Sequence, residues 1–124
     1  MPFREPTLSL RDIADAVDQI EAFTRDMDFE AFRADLKTVA AVERKLQLIS
    51  EAAVRLGDDA EVVCPGQPWH NIRGLGNWLR HQYDRVDLDT VWTTVTGDLP
   101  SLKAAVTRAL ARPPRSRPGD PTPR

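Results

Sequence analysis

Apolar residues recur every three or four positions along most of the chain, the spacing that places them on one face of an α-helix. The first stripe predicts a helix from about Leu10 to about Met27. Ser9 and Asp12 have the spacing of a capping box at its start. Asp28 is then predicted to cap a short helical turn.

A second, longer stripe predicts a helix that ends at Gly57, a residue suited to helix termination. Its apolar members are Leu36, Val39, Val42, Leu46, Ile49, Ala53 and Leu56. The segment Asp58–Gln67 contains a proline and a glycine and is predicted to be a loop. A third helix is predicted to begin near Trp69, with Pro68 in its first turn.

The third helix has its own apolar stripe, and a fourth helix follows it. The stripe consists of Ile72, Leu75, Leu79 and Tyr83. Asp87 is predicted to cap the fourth helix, which contains Val91 and Val95. Pro100 interrupts the pattern, but apolar spacing continues after it, so the sequence predicts a kinked or restarted helix up to Ala111.

These elements predict an all-α fold, an up-and-down bundle of four or five helices formed by residues 1–111. Residues 112–124, rich in proline and arginine, are expected to form a separate, disordered tail. Small elongated bundles often leave apolar surface uncovered, so a homodimer is expected. Trp69, Trp78 and Trp92 are the candidates to cover that surface.

Composition excludes several classes of protein. The 124 residues carry a net charge of −2, divided into −5 for residues 1–111 and +3 for the tail. No long apolar run or signal peptide is present, so a cytoplasmic protein without a membrane partner is expected. Nucleotide-binding and zinc-protease motifs are absent. Cys64 is the only cysteine, which excludes an internal disulfide. Neither a cofactor nor a metal site is predicted.

One face of the third helix is polar and carries the strongest candidate chemistry. At about 100° per residue, this face collects Arg73, Asn77, Arg80, His81 and Asp84. A histidine for proton transfer and two guanidinium groups for phosphate suit phosphodiester chemistry. An ordinary solvated helix face has the same composition, and that alternative stays open. Gly74 and Gly76 indicate a close approach by a packing partner or a ligand.

The sequence resembles the HepT-like family of the HEPN superfamily over about residues 8–103. The similar phrases are SLRDIADAVDQIEAFTRDMDFEAF, LKTVAAVERKLQLISEAAVRL, PWHNIRGLGNWLRHQYDRVDLDTVW and DLPSLK. The resemblance implies a dimeric helical bundle that acts as a metal-independent endoribonuclease, the toxin of a toxin-antitoxin pair. It also implies an MntA-like nucleotidyltransferase as the antitoxin, which adds AMP to a tyrosine of the toxin.

The family motif is G-x-R-N-x-x-x-H-x-Y, and this chain departs from it at one position. Asn77, His81 and Tyr83 match the motif, but Gly76 stands where the motif has arginine. By the resemblance, His81 is the general acid/base and Tyr83 the AMPylation site. Arg73 or Arg80 then supplies the missing cation, with Arg73 slightly favoured.

The expected substrate is RNA and not DNA, because the ribose 2′-OH would be the nucleophile. The rival hypothesis is a non-catalytic binding module that lost the motif arginine and only pairs with a nucleotidyltransferase. A purely structural helical dimer is a third alternative. Gain of cleavage on Gly76→Arg would indicate a disabled site, whereas no gain would indicate that another arginine already serves.

Overall fold

The computed structural model describes residues 5–81 and 87–112, and within these ranges every regular element is helical. The all-α prediction is therefore confirmed. In chain order the elements are α1 (Pro6–Phe23), α2 (Phe29–Ala34), α3 (Leu36–Leu56), α4 (Asp59–Val63), α5 (Trp69–Arg80), α6 (Leu88–Thr93), a π-helical segment (Thr94–Asp98) and α7 (Leu99–Ala111). No helix in the described part combines the length and the apolar character that crossing a bilayer requires.

The start of α1 differs from the prediction. The helix begins at Pro6, because proline needs no N–H partner in the first turn and its fixed φ suits a helix start. Ser9 consequently lies inside α1 and is buried, so the predicted capping box is wrong. The helix also ends earlier than predicted, at Phe23, and Asp26 then adopts a positive φ of 63°.

The helix starts at α2, α3 and α6 each have an aspartate cap. Asp28 accepts a hydrogen bond from the Ala31 amide at 2.8 Å, which confirms the predicted cap of α2. Asp35 caps α3 through the Thr38 amide, a cap that the sequence analysis missed. The end of α3 is as predicted, since Gly57 follows Leu56 with a positive φ of 53°.

The segment after Gly57 is not entirely a loop. Five of its residues form α4, Asp59–Val63, so the prediction of a loop throughout Asp58–Gln67 is wrong. Ala60 is fully buried on the core side of α4, and this burial stabilises a short turn that has little periodic signal of its own. Cys64 ends α4 and is also buried.

The helix restarts near Pro100, as the sequence predicts. Asp87 caps α6 through the Thr90 amide at 3.3 Å, which confirms that cap. A π-helical segment then joins α6 to α7, and Pro100 lies in the first turn of α7. Proline has no N–H to donate to the preceding turn, which accounts for the wider turn at this point.

The long helices pack in the order α7, α1, α3, α5, with each neighbouring pair antiparallel. Arg55 near the end of α3 bonds Asp12 near the start of α1 at 3.1 Å. Lys103 in the first half of α7 bonds Asp18 and Glu21 in the second half of α1. These contacts confirm the up-and-down arrangement.

The tryptophans are only partly available for an interface. Trp69 is 1% exposed, so its predicted role in covering a second subunit is wrong. Trp78 and Trp92 pack half-buried against the core, and Trp92 stacks on Phe32 with ring centroids 4.9 Å apart. Other large apolar side chains are exposed instead, namely Leu8, Phe23, Leu36, Val54 and Val62.

Candidate active site

The candidate site is built on α5, which is anchored at its first residue. Trp69 is buried, and its indole Nε1–H donates to the Cys64 carbonyl at 2.8 Å. This contact closes the turn between α4 and α5 and satisfies the one polar atom of the indole. Leu79 is buried near the other end of α5. The helix is thus held against the core at both ends.

His81 is exposed and lies directly after the last residue of α5. Its Nδ1 is 3.0 Å from the backbone carbonyl of Asn77. A carbonyl only accepts hydrogen bonds, so Nδ1 carries the proton and the neutral imidazole has its lone pair on Nε2. The Asn77 backbone therefore selects the tautomer in which Nε2 can accept a proton. The Asn77 side chain itself is exposed on the same helix.

Gly76 is buried where α5 crosses α3. Its amide donates to the Ser50 hydroxyl at 2.9 Å, and that hydroxyl in turn donates to the Arg73 carbonyl at 2.8 Å. A Cβ on Gly76 would stand 2.9 Å from Ser50 Oγ and 3.2 Å from Ser50 Cβ. The close approach that Gly76 indicated is therefore helix packing. The close approach indicated at Gly74 is wrong for the described residues, since none of their atoms outside its own helical turn lies within 4 Å of its Cβ position.

The guanidinium of Arg80 lies beside Gly76. Arg80 Nη1 is 3.5 Å from the position that a Cβ on Gly76 would take. Residues four apart are neighbours along one side of a helix, so a side chain at position 80 can fold back to position 76. The cation of Arg80 consequently lies near the point from which a side chain at position 76 would emerge.

The Arg73 side chain is directed away from Gly76 and forms hydrogen bonds with other residues. Its Nη1 donates to the Gly57 carbonyl at 3.3 Å and its Nη2 to Glu61 at 3.1 Å. The side chain is only 27% exposed. The hydrogen bond from Arg73 is the main cause that lowers the pKa of the Glu61 carboxyl. Arg73 thus ties α5 to α4 and to the end of α3.

The structure places four of the five predicted site residues and leaves one outside. His81, Asn77 and Arg80 lie together at the end of α5, whereas Arg73 lies two turns earlier in its own ion pair. Tyr83, the fifth of these residues, lies outside the described residues, as does Asp84 of the predicted polar face. Across residues 5–81 and 87–112, no three His, Cys, Asp or Glu side chains are grouped as metal ligands.

A cleft of ≈ 330 Å³ lies on the other flank of α5. At about 100° per residue, the residues of α5 that line it are on the side of the helix away from Arg80. Its lining combines polar residues such as Asn71, Asp98 and Ser101 with apolar residues that include Leu75 and Leu102. The cleft is therefore separate from the cluster at the end of α5.

Comparison with known proteins identifies the family. The model of the family described as "Ribonuclease HepT-like" matches residues 13–109 of this chain. The chain belongs to the HepT-like family. The HepT-like match begins inside α1 and ends inside α7, so it includes the whole of α5. No solved structure matches the chain.

Two curated relatives are similar to this chain over most of their own lengths. A "Probable ribonuclease HepT" of Thermococcus cleftensis is 43% identical over 94 residues, which are 76% of this chain and 86% of the relative. A "Putative RNase MJ0125" of Methanocaldococcus jannaschii is 37% identical over 103 residues, 83% of this chain and 89% of that protein. The HepT-like fold predicted from the sequence thus agrees with the family and with the helices of the structure.

Sequence reasoning missed one residue of this region, Ser50. It lies in the apolar stripe of α3 and is 3% exposed, one of the two polar residues that the described part of the chain buries. Its position beside Ile49 in the stripe was a signal, because a polar residue on a buried face must find a hydrogen-bond partner. Which partner it finds depends on α5, which is distant in the sequence.

Proposed function

We propose that this HepT-like protein is an endoribonuclease that cleaves RNA with His81 as general acid/base and Arg80 as the phosphate-stabilising cation. The observation that carries the proposal is the pair of contacts at the end of α5. The Nδ1 contact of His81 with the Asn77 carbonyl orients Nε2 for proton transfer. The guanidinium of Arg80 lies 3.5 Å from the position of a Cβ on Gly76, so a cation is present beside the residue that replaces the motif arginine.

The reaction needs only these groups and the substrate itself. Nε2 of His81 takes the proton from a ribose 2′-OH, and the 2′-oxygen attacks the adjacent phosphorus. The bond from phosphorus to the 5′-oxygen breaks, and the protonated imidazole gives its proton to that oxygen. The products are a 2′,3′-cyclic phosphate and a 5′-hydroxyl. The guanidinium stabilises the extra negative charge on phosphorus oxygens in the transition state.

Arg80 is preferred to Arg73 for a structural reason. Arg73 would have to leave both the Gly57 carbonyl and Glu61 before it could bind a phosphate. Loss of those contacts would leave the Glu61 carboxylate without its ion pair and the Gly57 carbonyl without this donor. Arg80 is exposed and makes no such anchoring contact with α4.

The biological setting is proposed from the family resemblance. The protein is the cytoplasmic toxin of a toxin-antitoxin pair and acts as a homodimer. An MntA-like nucleotidyltransferase is its antitoxin and transfers AMP to Tyr83. The added phosphate would place a negative charge two residues from His81 and repel the RNA backbone.

The test is cleavage of total RNA and of tRNA by the purified protein, without added metal and with chelator present. Wild type is compared with His81→Ala, after mass spectrometry has confirmed that Tyr83 is unmodified. Cleavage by wild type and its loss in the variant are expected. Equal activity of the two proteins, or none in either, would contradict the proposal.

One observation favours a second function, a non-catalytic binding module. The motif arginine is replaced by Gly76, and Gly76 is closely packed against Ser50. A chain of this kind would bind a minimal nucleotidyltransferase without cutting RNA. Tight association with that partner, together with no RNA cleavage by unmodified wild type, would favour this alternative.

A further inference from the structure

Ser50 makes the closest polar contact between α3 and α5. Its hydroxyl accepts the Gly76 N–H and donates to the Arg73 carbonyl, so both functions of one hydroxyl are used on the α5 backbone. The side chain is 3% exposed. The hydrogen bond from the Gly76 amide is buried and the one to the Arg73 carbonyl is partly buried, and removal of the hydroxyl would take this partner from both backbone groups.

The same contact determines how closely α5 approaches α3. Ser50 Oγ stands 2.9 Å from the position of a Cβ on Gly76, a spacing that only glycine permits without movement. Arg80 Nη1 stands 3.5 Å from that position. Ser50 Oγ and the Arg80 guanidinium therefore both lie close to the Cβ position of Gly76. A shift of α5 at Gly76 would change the surroundings of the guanidinium.

We infer that Ser50 is a positioning residue for RNA cleavage, which holds α5 against α3 so that the Arg80 guanidinium rests beside Gly76. Ser50 does not touch the substrate. It acts through the backbone of Gly76 and through Arg80, and this role rests on the proposed function. The hydroxyl, and not only the volume of the side chain, is required.

A double-mutant cycle tests the coupling between the two residues. Ser50→Ala is expected to lower kcat about tenfold with little change in KM, an effect within the range for residues that act together. In an Arg80→Ala background the same substitution should lower kcat less than about twofold. An equal loss in both backgrounds would mean a merely structural role for Ser50 and would overturn the inference.

Ser9 offers a matched control. It is the other buried polar residue of the described chain, but it lies on α1, which packs mainly against α3 and α7 and not against α5. Ser9→Ala removes a hydroxyl of the same size from the core. It should leave kcat within about twofold of wild type whether Arg80 is present or not.

A measurement that does not depend on activity separates this inference from the proposed function. In Ser50→Ala, hydrogen exchange at the Gly76 amide should accelerate by more than the fall in global stability accounts for, and the Arg80 Nε–H resonance should shift. Ser9→Ala should change Gly76 exchange only in proportion to global stability. If wild type cut no RNA, the proposed function would fail. The exchange rate of the Gly76 amide and the Arg80 resonance would still show whether Ser50 positions Arg80. Unchanged signals in Ser50→Ala would overturn the inference.

Discussion

Arg80 lies with its Nη1 3.5 Å from the place that a Cβ on Gly76 would occupy. The two residues are one helical turn apart, so the side chain of the later residue covers the backbone of the earlier one. In the HepT-like motif the arginine stands at the position of Gly76. This chain instead has a tightly packed glycine at that position. An arginine one turn later, Arg80, places its guanidinium beside this glycine.

The first prediction concerns Gly76, where the sequence alone left both gain and no gain of cleavage open for an arginine. Gly76→Arg is expected to give no gain of RNA cleavage and to destabilise the fold by about 1–3 kcal/mol, a usual cost of overpacking. The cause is the 2.9 Å approach of Ser50 Oγ to any Cβ at this position. Urea unfolding and the RNA assay measure the two effects.

Gly74 provides the control for that experiment. It lies in the same helix, and among the described residues no atom outside its own helical turn comes within 4 Å of its Cβ position. Gly74→Ala should raise helix stability by up to about 1 kcal/mol, because alanine loses less entropy than glycine in a helix. If Gly76→Ala proved as stable as Gly74→Ala, the predicted cost of close packing at Gly76 would be refuted. A gain of cleavage by Gly76→Arg would contradict the predicted absence of gain.

The second prediction separates the two arginines. Arg80→Ala should lower kcat by about 10²–10³, the usual effect of losing one group that stabilises transition-state charge. Arg73→Ala should retain most of the activity and instead lower the free energy of unfolding, since it removes contacts with Gly57 and Glu61. Steady-state kinetics and chemical denaturation on both variants check this. The opposite assignment would follow if Arg73→Ala lost activity while its stability stayed unchanged.

The third prediction concerns acid stability and the cap of α3. The Thr38 hydroxyl and then the Thr38 amide bond the Asp35 carboxylate and lower its pKa below 3.8. A carboxyl group whose pKa is lower in the folded state stabilises the fold above its unfolded pKa. This stabilisation is lost as pH falls through the folded pKa.

Asp35→Asn should therefore flatten the loss of stability between about pH 5 and about pH 2, because asparagine caps a helix without titrating. Thr38→Val, which removes the hydroxyl donor, should also reduce the slope. Urea midpoints measured across that range provide the test. Parallel curves for wild type and Asp35→Asn would show that this cap does not contribute to the acid response.

The fourth prediction is that Cys64 does not react with thiol reagents in the native protein. The residue is 2% exposed, and burial raises the pKa of its thiol, with Arg112 and Arg108 partly opposing that effect. The neutral thiol is not the nucleophile, so modification should proceed only as fast as the protein opens. Modification kinetics in buffer and in denaturant measure this.

Trp69→Phe is the companion variant for Cys64. It removes the indole N–H that donates to the Cys64 carbonyl and should speed modification by loosening the turn between α4 and α5. The far-ultraviolet circular dichroism should stay close to that of wild type. A fast reaction of native wild type would contradict the buried position of the thiol.

The helices with strong local signals were predictable from the sequence. The stripe that predicts α3, the cap at Asp28 and the cap at Asp87 all depend on residues within a few positions of one another. Weak local signals misled at α1, where the proline outweighed the apparent capping box, and at α4, where burial of Ala60 stabilises a turn without periodicity. Tyr83 lies outside the described residues, and its role stays a prediction.

The sequence by itself determined the all-α fold, the family and the set of side chains available for chemistry, because periodicity, caps and motif spacing are local properties of the chain. Only the tertiary structure decided how those side chains are arranged and which partners they contact. Arg73 is engaged by Glu61 of α4, Gly76 is occupied by Ser50 of α3, and Arg80 takes the adjoining place. These partners are 12 and 26 positions apart along the chain, and helix packing alone brings them within hydrogen-bond distance.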